Sequence, residues 1–284
     1  MEENMDIEKK VVWIAAIVQF VNIIDFMMVM PLGPDISKVL PISNADIGLI
    51  CGCYTLAIAF SGIACAGFID RFDRKNVAVI AVAGLSLATL CAAFAWDLYS
   101  LIGARILAGF FGGPAAAISL SMVLDIVPPQ RRGKAMAIVM GTFSLSSIVA
   151  VPFGLELARM GSWRSPFYAI AILGLGVVLL IVKITPPMTG HLSAKEKSVV
   201  SIFAIMKNRD NMMALLMMAS AMVSSFLIIP NISAFFQFNQ GYPRESLGLL
   251  YMVGGIFSLV MIQLGGRYPI RSVPFQQILQ EPLF

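Results

Sequence analysis

"GFIDRFDRKNV", residues 67–77, carries Asp70, Arg71, Asp73, Arg74 and Lys75 within six positions, while the flanking runs 46–69 and 77–96 are almost wholly apolar. A membrane boundary imposes this contrast: apolar helices span the hydrocarbon and charges collect where the chain turns in water. The rest of the chain agrees. It is 58% hydrophobic and 13% charged, with a mean hydropathy of +0.86, whereas a soluble domain is about a quarter charged. Eight stretches, 11–32, 46–69, 77–96, 98–126, 134–158, 166–184, 211–235 and 246–264, are close to or above the ~20 residues a helix needs to cross a bilayer. The short alternating segments of a β-barrel do not occur, so the expected class is an all-α membrane protein. The first stretch contains Asn22 and Asp25 and has no small-residue cleavage site, which makes it a retained span rather than a signal peptide.

With the N-terminus inside, fifteen Lys and Arg fall at inside positions and four, Lys38, Arg159, Arg164 and Arg244, at outside ones. This positive-inside bias places both termini in the cytoplasm of a bacterial inner membrane. Trp13 falls near the inner boundary, and Trp96, Tyr99, Trp163 and Tyr168 fall near the outer one, where interfacial aromatics belong. The basic residues are thereby explained without a nucleic-acid partner. Cys51 and Cys53 point to nearly opposite helix faces, and the one histidine, His191, lies in a connection, so no metal or cofactor site is expected. Without a nucleophile–base pair or a phosphate loop, the chain does not read as an enzyme and no catalytic residue is assigned.

Residues 1–184 read as a bundle of six spans, 185–210 as a cytoplasmic linker with a short amphipathic helix at 194–206, 211–265 as the first two spans of an incomplete second bundle, and 266–284 as a polar tail. The second unit echoes the first. Pro31, read as the end of the first helix, precedes Gly48 by 17 residues, and Asp70 follows 22 later; Pro230, Gly248 and Ile270 are spaced by 18 and 22. Such repeats characterise secondary transporters, whose substrate sites lie near the midplane where repeats meet.

The stretch 66–75, "AGFIDRFDRK", resembles the loop signature G-x-x-x-D-R-x-G-R-K of the major facilitator superfamily, with Ala66 and Asp73 in place of the glycines. "RILAGFFGG", 105–113, is similar to that superfamily's R-x-x-x-G-x-x-G motif. "AVPFGLELARMGSWRSPF", 150–167, resembles the antiporter pattern P-x-G…G-x-W-R-x-x-F of bacterial drug and sugar efflux permeases, with Val151 where many members carry glycine. The resemblance implies the superfamily's fold, here a complete six-helix N-terminal half plus two helices of the C-terminal half. It also implies that Pro152 and Gly154 favour export over uptake. Asp70, Arg71, Arg74 and Lys75 match the loop signature, and with Asp125 at the end of the fourth helix they are expected to form an inner gate. The plainer reading is that Arg71, Arg74 and Lys75 only satisfy the positive-inside rule, which leaves the two carboxylates unexplained.

Two charges lie within the membrane. Asp25 follows Val11 by 14 residues, a rise of ~21 Å that leaves ~9 Å of a ~30 Å core. Arg105 follows Tyr99 by six, ~9 Å in from the same face, so the two sit at matching depth. Desolvation favours a neutral carboxyl and a nearby cation a charged one. A carboxylate balanced between them can take up and release a proton as access alternates. Asp25 and Arg105 are therefore the expected proton-coupling pair, with a static ion pair as the alternative. Gln19, Asn22 and Phe26 border the same sector and are expected to line the substrate cavity; interhelical hydrogen bonding is the other reading for Gln19 and Asn22. The sequence thus points to proton-coupled efflux of a small organic solute, drug or sugar-like, by alternating access. Its rivals are a truncated, non-transporting remnant of such a carrier, or one piece of a split carrier completed by a separate C-terminal half or a second copy.

Overall fold

A computed structural model describes residues 2–189 and 207–267; the amphipathic helix expected at 194–206 and most of the polar tail lie outside the described residues. The described chain is helical: α1 Glu2–Val39, α2 Asn44–Ile69, α3 Arg74–Ala93, α4 Leu98–Ile126, α5 Pro129–Leu145, α6 Val151–Met160, α7 Ser165–Ile184, α8 Arg209–Ala234 and α9 Leu247–Arg267. A π-helical turn, Ser146–Ala150, joins α5 to α6, and the three pieces together make one span. Seven spans among the described residues are long and apolar enough to cross a membrane, and the expected span 211–235 is the helix α8.

α1 is the central rod. It is flanked by α4, α5 and α7 and touches α8, while α2 packs along α4 and α3 lies between α4 and α7. Its side chains from Val11 to Ile36 are buried almost all round, as expected of a helix that is apolar on every face. The small residues of α4 set the spacing to α2. A Cβ on Gly113 would stand 2.7 Å from the Ile58 carbonyl and 2.9 Å from the Gly62 nitrogen, so close packing is the use of the thin face that the sequence displays. Gly154 does the same for α1 and α6, since its Cβ would lie 2.5 Å from Met28 Sδ.

Two expectations are corrected. Pro31 does not end the first helix: α1 runs through Pro31 and Pro34 to Val39. Tight burial of Leu32 and Ile36 holds this end, and Ser37 Oγ donates to the Pro34 carbonyl at 3.2 Å; proline within spanning helices is tolerated where neighbours satisfy the freed groups. Trp163 is buried rather than interfacial, 3% exposed. It meets Phe167 edge-on, with the Arg164 guanidinium 4.5 Å above its ring and Arg164 Nη2 donating to the Ala95 carbonyl at 2.8 Å. The basic cluster 131–134 lies in the first turns of α5, which Pro129 opens at the position proline favours. From there Arg132 donates to the carbonyls of Val127 and Leu124 at 2.9 and 2.8 Å, capping the end of α4.

Candidate transport site

Asp25 and Arg105 are brought together in the middle of the bundle. The carboxylate is fully buried and the guanidinium is 1% exposed. Arg105 Nη1 donates to Asp25 Oδ1 at 2.9 Å, and Nη2 donates to the Asp25 backbone carbonyl at 2.9 Å. The Tyr54 ring of α2 lies under the guanidinium, 4.2 Å from its carbon to the ring centroid, a cation–π contact strengthened by desolvation. The Thr89 hydroxyl of α3 donates to Asp25 Oδ1 at 2.6 Å. Four helices therefore converge on one charge pair. Thr89 and Tyr54 were not identified from the sequence: a hydroxyl in mid-helix carries no local signal of what it faces.

Of the expected cavity residues, Gln19 Oε1 accepts from Ser119 Oγ of α4 at 3.0 Å. Asn22 is buried with its Oδ1 unpartnered. Phe26 is half-buried and stacks on Tyr54, with ring centroids 5.6 Å apart. Pro152 sits at the start of α6 directly after the π turn, in which the Val151 amide reaches back to the Ser146 carbonyl. Proline has no amide to donate and its ring crowds the carbonyl four residues earlier; the wide turn accommodates both effects.

The charged connection is a network at one end of the bundle. Arg74 is 2% exposed, and its Nε donates to Asp125 Oδ2 at 2.9 Å. Its Nη1 lies 2.7 Å from Asp70 Oδ1, an ion contact without hydrogen-bond alignment. One arginine at the root of α3 thus ties the ends of α2 and α4. Lys75 Nζ instead donates to the Val182 carbonyl of α7 at 2.9 Å. Arg71 is exposed, away from this pairing. Asp73, in the glycine position of the signature, has φ −57°, which any residue adopts. Its Oδ1 accepts from the amides of Lys75 and Met188, both at 2.9 Å, so the substituted carboxylate starts α3 and fastens the strap 185–189 across the loop.

At the opposite end, Asp35 of α1 and Arg244, just before α9, form a half-buried pair, with Arg244 Nε donating to Oδ1 at 2.7 Å and to Oδ2 at 3.0 Å and Nη2 contacting Oδ2. This pair links α1 to the turn before α9 across 209 positions, and no sequence spacing announces it. Among the described residues no cluster of metal-ligating side chains occurs.

The family model of the Major Facilitator Superfamily matches residues 15–277. The chain belongs to this superfamily of membrane transporters. Curated relatives include the purine ribonucleoside efflux pump NepI of Escherichia coli K12 and that of Shigella sonnei, each 25% identical over 251 residues. The alignments cover 88% of this chain and 62% of each relative, so the chain spans under two thirds of their length. Among solved structures, a bacterial homologue of the human lysosomal transporter Spinster aligns with a TM-score of 0.72 at 19% identity, over 95% of this chain and 65% of that one. The xylose transporter XylE of E. coli aligns with a TM-score of 0.68 at 16% identity, over 94% and 74%.

Proposed function

We propose that the chain acts in proton-coupled efflux of a small organic solute across the bacterial inner membrane, with Asp25 as the proton carrier and Arg105 as the cation that sets its balance. The observation that carries this reading is the ion pair buried at the centre of a transporter fold. Ionisable groups in spanning helices are costly and mark transport pathways or proton relays. A charge-neutral pair becomes a net cation when the carboxylate is protonated, so its cost of burial changes with the proton. That difference can drive a change in access.

Asp70, Arg74 and Asp125 act in this reading as the inner gate, with Lys75 bracing it against α7, and Asp35–Arg244 closes the outer side. The distribution of basic residues supports cytoplasmic termini. Gln19, Asn22 and Phe26 border the path taken by the solute. The relatives' name puts purine ribonucleosides first among solutes to try. Transport by this chain alone, or with a separate C-terminal half or a second copy, belongs to the same proposal. The test is accumulation of radiolabelled ribonucleosides in inside-out membrane vesicles with and without an imposed pH gradient. Gradient-driven accumulation that Asp25→Asn abolishes is the expected result, and full activity in that variant removes the coupling role. Retained binding without movement in the wild type favours the non-transporting remnant.

A further inference from the structure

The two oxygens of the Asp25 carboxylate are treated unequally. Oδ1 accepts from the Thr89 hydroxyl at 2.6 Å and from Arg105 at 2.9 Å. Oδ2 is buried without a partner, as are Asn22 Oδ1 and the Tyr54 hydroxyl. Asn22 stands three residues before Asp25 on α1, a spacing that brings Cβ atoms to about 5–6 Å on one helix face. Asn22 Oδ1 and Tyr54 Oη both lie over Gly112, where an added Cβ would stand 2.9 Å from the first and 3.3 Å from the second.

An ionised Asp25 has only acceptors to offer, and so does Asn22 Oδ1, so the two cannot bond. A proton on Oδ2 converts that oxygen into a donor. We propose that Asp25 takes its proton on Oδ2 and that Asn22 Oδ1, with the Tyr54 hydroxyl beside it, is the acceptor site that holds the protonated form. This rests on the reading of Asp25 as proton carrier and reassigns Asn22 from solute to proton. The step forms one O–H bond, with a hydronium ion in the open cavity as proton source and water as its product. It leaves the Arg105 contact to the Asp25 backbone carbonyl in place. Thr89 has the opposite bias. Its single hydroxyl proton has two acceptors within reach, Asp25 Oδ1 at 2.6 Å and the Leu85 carbonyl at 2.8 Å. It serves the charged carboxylate and turns to Leu85 when that charge is gone. Asn22 therefore favours the neutral carboxyl and Thr89 the ionised one.

The ionisable groups that face the pair are Arg105 from α4 and Tyr54 and Cys51 from α2. Glu156 and Arg159 of α6, Lys183 of α7, and Arg209 and Asp210 of α8 are exposed. The experiment is infrared titration of the full chain in lipid nanodiscs, with the Asp25 carboxyl band identified by its loss in Asp25→Asn. Asn22→Leu removes the acceptor at nearly constant volume, and Gly112→Ala displaces it from the α4 side. Each is expected to lower the protonation midpoint by about one pH unit, the tenfold worth of one buried hydrogen bond, and to move the carboxyl band toward the free-carbonyl frequency. Thr89→Val is expected to raise the midpoint. Opposite signs exclude general loosening of the bundle. An Asp25 band that ignores Asn22→Leu and Gly112→Ala overturns the acceptor site alone. A wild type with no Asp25-dependent band overturns the proton-carrier reading and the acceptor site with it.

Discussion

Arg105 has three duties at once: it neutralises Asp25, holds the Asp25 backbone carbonyl and lies over the Tyr54 ring. Removing one member of a buried pair strands the other, at about 3–5 kcal/mol. Arg105→Gln should therefore destabilise the protein by that amount, and adding Asp25→Asn should recover most of it; thermal unfolding in detergent measures both. Arg105→Lys should stay well below wild type, because a point charge cannot reproduce the planar fork. Asp25 and Arg105 were legible in the sequence because they are charges inside apolar runs, and the rise per residue fixes their depth. Thr89 and Tyr54 were not, because what a hydroxyl faces depends on how a different helix is rotated. Asp73 was visible only as a departure from a glycine pattern. Its double hydrogen bond depends on residue 188, which arrives from 115 positions away.

Helix ends and helix contacts carry their own tests. Gly113→Ala would press a methyl onto the α2 backbone, whereas Gly103 has nothing within 4 Å of an added Cβ. The first should cost about 1–3 kcal/mol. The second should be neutral or stabilising by about 0.5–1 kcal/mol, so the pair separates contact from propensity in one unfolding assay. Asp97 caps α4 in a reciprocal box with Ser100, accepting from its amide at 2.7 Å. Hydrogen bonds from Ser100, the side chain foremost and then the amide, hold the Asp97 carboxyl below its ordinary range. A lowered folded-state value means that the stabilisation is complete above the ordinary carboxylate range and is lost as pH falls through the folded value. The stability advantage of wild type over Asp97→Ala should therefore shrink on acidification, read as the difference in melting temperature against pH. Hydropathy located every span and fixed both ends of α4, but it cut α1 short by nine residues at one end and seven at the other. The reciprocal box was not identified from the sequence, although Asp-x-x-Ser before an apolar run is the kind of signal that could have found it. Pro31 misled because tertiary burial overrides a helix breaker. Proline in mid-span marks a place where a helix must adjust, but a π turn at 146–150 is a backbone solution that no side-chain pattern specifies.

For the whole molecule, the long-range contact between α1 and the turn before α9 is the feature to test, and Asp35–Arg244 is its half-buried clasp. Its worth should lie between the ~1 kcal/mol of an exposed ion pair and the ~3 kcal/mol of a buried one. Asp35→Asn and Arg244→Gln should each loosen the junction, and the exchange Asp35→Arg with Arg244→Asp should restore it in part; disulfide trapping between cysteines placed at neighbouring positions on α1 and α9, with 35 and 244 left to carry the variants, reports the separation. None of this was legible in the sequence, since a contact across 209 positions leaves no local mark, whereas the repeat and the charged connection announced the architecture from short windows. The strap 185–189 has a mechanical consequence. Because the Met188 amide is moored to Asp73 Oδ1 and the Met188 carbonyl receives the Arg74 amide at 3.4 Å, tension on the chain beyond it is borne at the root of α3 and not at the end of α7. A pull from the second unit is thus delivered to the arginine that knots α2 to α4, as a rope made fast to a cleat loads the deck beneath it.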